Sequence, residues 1–366
     1  MMGTTIKFQK SATSFYVDLS NEVHTLLTSK VVRKANVLIK VKCLFYAVAF
    51  VGLYVNLYNS FLAEHFFWLT INYVFLGLTG ILMAFNCSHD AVHNTFSQWK
   101  KANAVLYYIT FNLQGVNATL WKKRHLASHH VFPNVDGCDA DIDDNPFLRF
   151  SPNQPYRNHH QFQHIYAGFI YCFYTIHWIL IKDFMYLSKC EMANLKNMKY
   201  SFWEVAEVIL LKIGYLSYMI ILPFLCTNLS LMQIVFAFGI MHICVSLFFV
   251  LSLIISHLTL ETEFPEVDNN GYLPYDFYEH QLAVSMDYHP TSKLANWVFG
   301  GFNSHSAHHL FPKLPHTLYT VISPAIKKKA LKYDLPYNEK TIPQAVVSHF
   351  RYLKKLGHKN YKMRII

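Results

Sequence analysis

Four apolar segments of about 20 residues each, at 43–63, 66–87, 205–226 and 231–256, leave this chain few folds to adopt. A helix rises about 1.5 Å per residue, so each segment reaches across a hydrocarbon core about 30 Å thick. Only "EH" (Glu64, His65) separates the first two, and "TNLS" (227–230) separates the last two. Breaks that short predict two helical hairpins in a membrane. A fifth apolar stretch, 165–181, is shorter and carries His177; it reads as a half-buried interfacial helix rather than a further span.

Two hairpins place the N-terminus, the 88–204 loop and the 257–366 tail on one side. Of the 32 Lys and Arg residues, all but Lys212 fall on that side, which marks it as cytoplasmic. Lys212, inside "VILLKIGY", is expected to snorkel towards the interface or to mark a polar cavity. The net charge of +10 is thereby explained by loops facing the cytoplasm, and no nucleic-acid-binding module accompanies it. The seven cysteines include no CxxC pair, and the first residues lack the apolar core of a signal peptide.

The 21 histidines cluster on the cytoplasmic side. "HDAVH" (His89, His93) follows the second segment, "HLASHH" (His125, His129, His130) lies in the same loop, and "HSAHH" (His305, His308, His309) lies beyond the fourth. Intervals of three and four residues put side chains on one helix face. Imidazole is the commonest side-chain metal ligand, and three such clusters weigh against solvated surface histidines. Eight imidazoles exceed the four ligands one zinc takes, so two ions sharing the set is the natural arithmetic. Nitrogen ligands without thiolates suit iron among other metals. His257, in "ISHLTLETEF", sits where the fourth segment leaves the membrane, as a ninth ligand or an interfacial histidine.

At these residues the chain resembles the integral-membrane fatty acid desaturase family, from about residue 40 to 316. The three boxes carry the resemblance, with the neighbouring phrases "WKKRHLASHHVFPNVDGCDADID", "QHIYAGFIY", "HLTLETEFP" and "FNSHSAHHLFPKLPH". The subgroup it is most similar to is the acyl-CoA/acyl-lipid, linoleoyl-CoA-type one. The resemblance implies an all-α membrane protein with four transmembrane helices as two hairpins and a cytosolic helical cap holding a di-iron site. It implies ligation of two Fe ions by His89, His93, His125, His129, His130, His305, His308 and His309, with His257 as the additional ligand. The implied reaction is O2-dependent insertion of a cis double bond into a long acyl chain on acyl-CoA, acyl-lipid or acyl carrier protein. Front-end members usually carry Gln at the start of the third box; His305 here argues against a delta-5 or delta-6 assignment. No HPGG cytochrome b5 signature is present, so electrons are expected from a separate ferredoxin or cytochrome b5.

Supporting roles follow. Ligating histidines commonly donate their second N–H to a carboxylate, which makes Asp90, and Asp139 and Asp141 of "DGCDADIDD", candidate orienting groups or else solvated acids; His280 is a further candidate. Lys122, Lys123 and Arg124 are candidates for the substrate head group or for lipid phosphates, as are Lys327, Lys328 and Lys329. Trp121, Trp178, Phe184 and Trp297 are candidate tunnel walls or interfacial anchors. The expected organisation is a cytosolic segment at 1–40, a membrane desaturase domain at 41–340 and a basic cytosolic tail at 341–366. The expected setting is the inner membrane of a bacterium or the endoplasmic reticulum of a eukaryote. Two other functions fit the same residues: a di-iron acyl hydroxylase, acetylenase or ketolase, and a non-catalytic zinc- or copper-binding membrane protein.

Overall fold

The computed structural model describes residues 6–142, 145–359 and 361. The described chain is almost entirely helical. Four helices are long and apolar enough to cross a membrane: α2 (Ser29–Asn56), α3 (Phe66–Val92), α8 (Phe202–Cys226) and α9 (Leu231–Ile254). Before them lies α1 (Phe15–Leu26), and between α3 and α8 come α4 (Lys100–Asn112), α5 (Ala118–Arg124), α6 (Gln163–Tyr171) and α7 (Tyr174–Ser188). After α9 follow α10 (Phe277–Ala283), α11 (Lys293–Phe299), α12 (His305–Leu310), α13 (Tyr319–Lys332) and α14 (Ile342–Leu356). The described residues depart from an all-α fold only in a short parallel ladder, β1 (Met286–Tyr288) with β2 (Asn338–Lys340), in register Met286 to Asn338.

Local chemistry sets the helix starts. Ser201 and Ser230 cap α8 and α9, and Glu204 and Gln233 reach back to complete capping boxes. The first span differs from expectation. It begins at Ser29 and ends at Asn56, not at 43–63, because the basic turn before Cys43 continues as helix. The break before α3 therefore covers residues 57–65, with a short helical turn at Ser60–Glu64. Asn56 donates to Asn72 across it at 2.8 Å, and Asn72 donates to the Leu53 carbonyl at 2.9 Å.

The main core lies between α2, α3, α8 and α9. Gly77 lets α3 approach α9 so closely that an added Cβ would sit 2.5 Å from Met241 Cγ. Tyr73 OH donates to the Met219 carbonyl at 2.8 Å, tying α3 to α8. Lys212 does not snorkel. It is buried, donates to the Gly115 carbonyl and pairs with buried Asp183 of α7, which also accepts from Trp178 Nε1 at 2.9 Å. The half-buried stretch is two helices, α6 and α7, bent by 76° at the break between them.

Neither described terminus is peripheral. Phe15, Leu19 and Val23 of α1 bury against Ile322 and Ile326 of α13. Glu22 pairs with Lys328 and Lys329 at 3.2 and 3.1 Å, and Lys327 pairs with Glu339 at 2.7 Å. These three lysines are thus each paired with a carboxylate. From α14, Tyr352 and Leu353 bury beside Tyr171 and Phe150.

Candidate metal centre

Four separate stretches converge at one end of the spans: the end of α3, the turn after α5, the segment following α9, and α12. The local backbone matters here. Both α3 and α5 pass into π-turns, Ala84–Ser88 and His125–His129, at the first and second boxes. A π-turn bonds residue i to i+5, and His130 N donates to the His125 carbonyl at 3.0 Å. The wider turn sets the His130 ring edge-on to His125, with centroids 4.4 Å apart, and leaves His129 in the other group.

The nine histidines then divide into two groups. His89, His93, His125, His130 and His308 form one, and His129, His257, His305 and His309 form the other. Within each, the candidate ligand nitrogens all lie within 4.8 Å of one another. The second and third boxes each supply residues to both groups, so the groups are held side by side.

The geometry fits cations. His125 Nε2 faces the Nε2 atoms of His89, His93 and His130 at 3.2, 3.1 and 3.0 Å. A ring nitrogen carries at most one proton, so three such contacts cannot all be hydrogen bonds. Nitrogens about 2.0–2.1 Å from one ion and at right angles would lie about 3.0 Å apart. In the second group His305 Nε2 faces His257 Nε2 at 2.6 Å and His309 Nε2 at 3.1 Å. His308 Nε2 is buried without a partner.

The opposite ring edges are anchored. His129 Nδ1 lies 3.2 Å from both oxygens of Asp139, and His257 Nδ1 donates to the Val284 carbonyl at 2.9 Å. That leaves Nε2 of each free to ligate. Burial pushes His93 down to about 4 and His257 to about 3, and drives His125, His130, His305, His308 and His309 well below 6.5. Neutral rings with open lone pairs are what a metal requires. Burial also presses on His129, but Asp139 and Asp141 outweigh it and raise its pKa.

The other expected residues fall differently. Asp141 lies 3.7 Å from His129 Nδ1 and pairs with Arg124 Nε at 3.3 Å. Asp90 touches no box histidine: it accepts from His316 Nδ1 at 2.8 Å, and Lys42 Nζ meets His316 Nε2 at 2.6 Å. His280 is buried against the Pro133 carbonyl at 3.0 Å, outside both groups. Arg124 is buried under Trp178 and donates to Tyr186 OH at 2.9 Å. Lys122 and Lys123 sit over the rings of Tyr107 and Tyr200 at 4.6 and 5.6 Å. The chain reading missed His316, although it stands in the quoted "FPKLPH"; its partners Asp90 and Lys42 are too distant in sequence to suggest the contact.

A largely apolar cavity of about 180 Å³ lies against both groups. Its walls include Phe50, Leu76, Gly77 and Met241 of the spans, Ile142, Asn145 and Ile170 outside them, and Trp121, Trp178 and Phe302 with His89, His125 and His305. Trp121 stacks on His125 with centroids 4.4 Å apart. Phe184 and Trp297, expected as walls, do not line it; Trp297 packs on Lys42 instead.

Comparison with known proteins finds related chains. A family model described as fatty acid desaturase matches residues 65–341. The chain is 26% identical over 285 residues to an sn-1 linoleoyl-lipid 6-desaturase of Arthrospira platensis, covering 78% of this chain and 77% of that one. It is 27% identical to the protein of the same name from Synechocystis sp., over 75% of this chain and 76% of that one. An acyl-lipid (8-3)-desaturase B of Dictyostelium discoideum is 28% identical over 84% of this chain and 68% of its own.

Proposed function

The chain belongs to the fatty acid desaturase family, whose members are oxidoreductases, and from that membership we propose an O2-dependent acyl-lipid desaturase working at two irons. The observation that carries this reading is the division of nine converging histidines into two groups on the wall of one apolar cavity. When bound, the irons supply the oxidising power, with O2 as oxidant, to take two hydrogens from an unactivated methylene pair, which no side chain can do.

The protein's own residues position and shield. His89, His93, His125, His130 and His308 hold one ion, and His129, His257, His305 and His309 the other. Asp139 and the Val284 carbonyl fix the rings of His129 and His257, so their Nε2 atoms stay aimed. The acyl chain lies along the cavity with its methyl end towards Phe50 and Met241 and its carrier end towards Asn145. Trp121 and Phe302 press it against the histidine edges and keep water away. In this reading α2 with α3 and α8 with α9 form two hairpins, residues 41–340 make the desaturase domain, and the histidine cap faces the cytoplasm. A separate ferredoxin or cytochrome b5 brings the electrons. The carrier is proposed as membrane lipid because the relatives' names specify acyl-lipid substrates.

The test compares fatty-acid profiles of a host expressing the wild type with one expressing His305→Ala, using mass spectrometry that locates double bonds. A new cis-unsaturated acid in the wild type alone is expected, with the variant still inserted in membrane. The relatives' names carry positions 6 and 8-3, whereas His305 argues for another, and the product decides between them. A hydroxylated or triple-bonded product would overturn desaturation, as would purified protein loaded with zinc and free of iron.

A further inference from the structure

The outer face of α6 and the end of α14 form a surface that neither the metal centre nor the spans account for. The inner face of α6 is committed to α14: Gln163 Nε2 donates to the Leu353 carbonyl at 2.9 Å, and Tyr171 OH meets His349 Nε2 at 2.8 Å. Gly357 abuts the turn at Asn158–Phe162, where an added Cβ would lie 3.0 Å from the His160 carbonyl. The placement of α14's last turn beside α6 is therefore fixed by backbone contact.

Among the described residues, the outward face has no partner. Phe162, Ile165, Phe169 and Phe173 recur at helical spacing, and Ile165 and Phe169 are 70% and 69% exposed. Beside them stand exposed Arg157, Lys354, Lys355 and His358. Lys354 and His358 both act electrostatically on His164 of α6, which places them over its first turn. Among the described residues, none of these cations meets a carboxylate. The lysines of α13, by contrast, are paired with Asp18, Glu22 and Glu339.

We propose that this face lies in the membrane interface and binds the phosphate-bearing headgroups of anionic glycerolipids. An acidic protein would complement the cations but leave Ile165 and Phe169 in water. A bilayer surface takes both, burying the apolar row at the acyl boundary and setting phosphates against the lysines. Ile170, next to Phe169, lines the cavity, so the proposed face adjoins the cavity wall. The inference needs only the surface and holds whichever reaction the metal centre performs.

The test is native mass spectrometry of the full chain released from nanodiscs of equal phosphatidylcholine and phosphatidylglycerol. Wild type is expected to retain phosphatidylglycerol preferentially. The variant Lys354→Gln/Lys355→Gln/His358→Gln should lose that preference by about thirtyfold, the attraction of two lysines, with unchanged iron content showing that it is folded. Ile165→Gln/Phe169→Gln should weaken retention of both lipids. An unchanged preference in the triple variant overturns the proposal. So does retained lipid preference with lost reduction by the electron-donor protein, which would make the surface a protein dock. Failure of the desaturase reading would show separately, as absence of product with the lipid counts intact.

Discussion

Asp139 and Asp90 both neighbour box histidines in sequence, and only one of them touches a box histidine. Asp139 brackets His129 Nδ1 at 3.2 Å while accepting the backbone N–H groups of Asn134 and Asp141 at 2.9 Å, so its carboxylate is itself held still. Asp139→Ala should lower iron affinity 10- to 100-fold, measured as iron per chain after dialysis against a competing chelator. Unchanged retention would remove Asp139 from the centre's support. Asp90 follows His89 directly, yet its carboxylate turns to His316 and so clasps the first box to the segment after the third. Adjacency in sequence says nothing of that direction. The histidines were legible because their residue type and grouping are chemical signals. Which carboxylate turns to which ring was not legible: His129 is met by Asp139 ten residues on, whereas Asp90 is met by His316 across 226 residues.

At the scale of elements, the four spans were legible from apolar length alone, and the errors came where polar groups enter them. The first helix runs back through Lys30, Arg33, Lys34 and Lys40 to Ser29, because a basic helical turn leaving a membrane breaks no backbone rule. Lys212 was expected to snorkel or to mark a polar cavity; α7 brings buried Asp183 to it, from a helix whose bend no periodicity announces. Breaking a buried pair by removing one partner strands the other charge. Lys212→Met should therefore destabilise the protein by about 3–5 kcal/mol, read as an earlier midpoint in detergent-titrated unfolding. Adding Asp183→Asn should recover most of the loss, since Asn still offers an acceptor to Trp178 Nε1 without a charge. A single variant as stable as wild type would mean that the pair contributes nothing to holding α7 against α8. The π-turn at the second box was equally hidden: "HLASHH" reads as one helical face, whereas i to i+5 bonding shares its rings between two groups.

For the whole molecule, the segments set apart in the sequence as an N-terminal segment and a basic tail pack onto the rest, with α1 on α13 and α14 on α6. The cap is thus closed by segments distant in sequence, while its centre gathers buried, neutral imidazoles whose lone pairs face one another across 2.6–3.2 Å. Without cations those nitrogens repel, and contacts such as Asp90 to His316 and Asn134 to the His257 carbonyl must hold the stretches in register against that repulsion. The spans are different: their packing through Gly77, Met241 and Tyr73 lies away from the histidines. Stripping the metal should therefore loosen the cap and spare the spans. Ligand held at 100 times its dissociation constant stabilises a site by about 2.7 kcal/mol, and two sites in one cap should be read together. Hydrogen exchange before and after chelation should show faster exchange at 118–139 and 302–318, with 66–83 and 231–254 unchanged. Added iron should restore the protection. Uniform loosening of cap and spans would tie the spans' stability to the metal, and no change at all would mean that protein contacts alone hold the nine rings together.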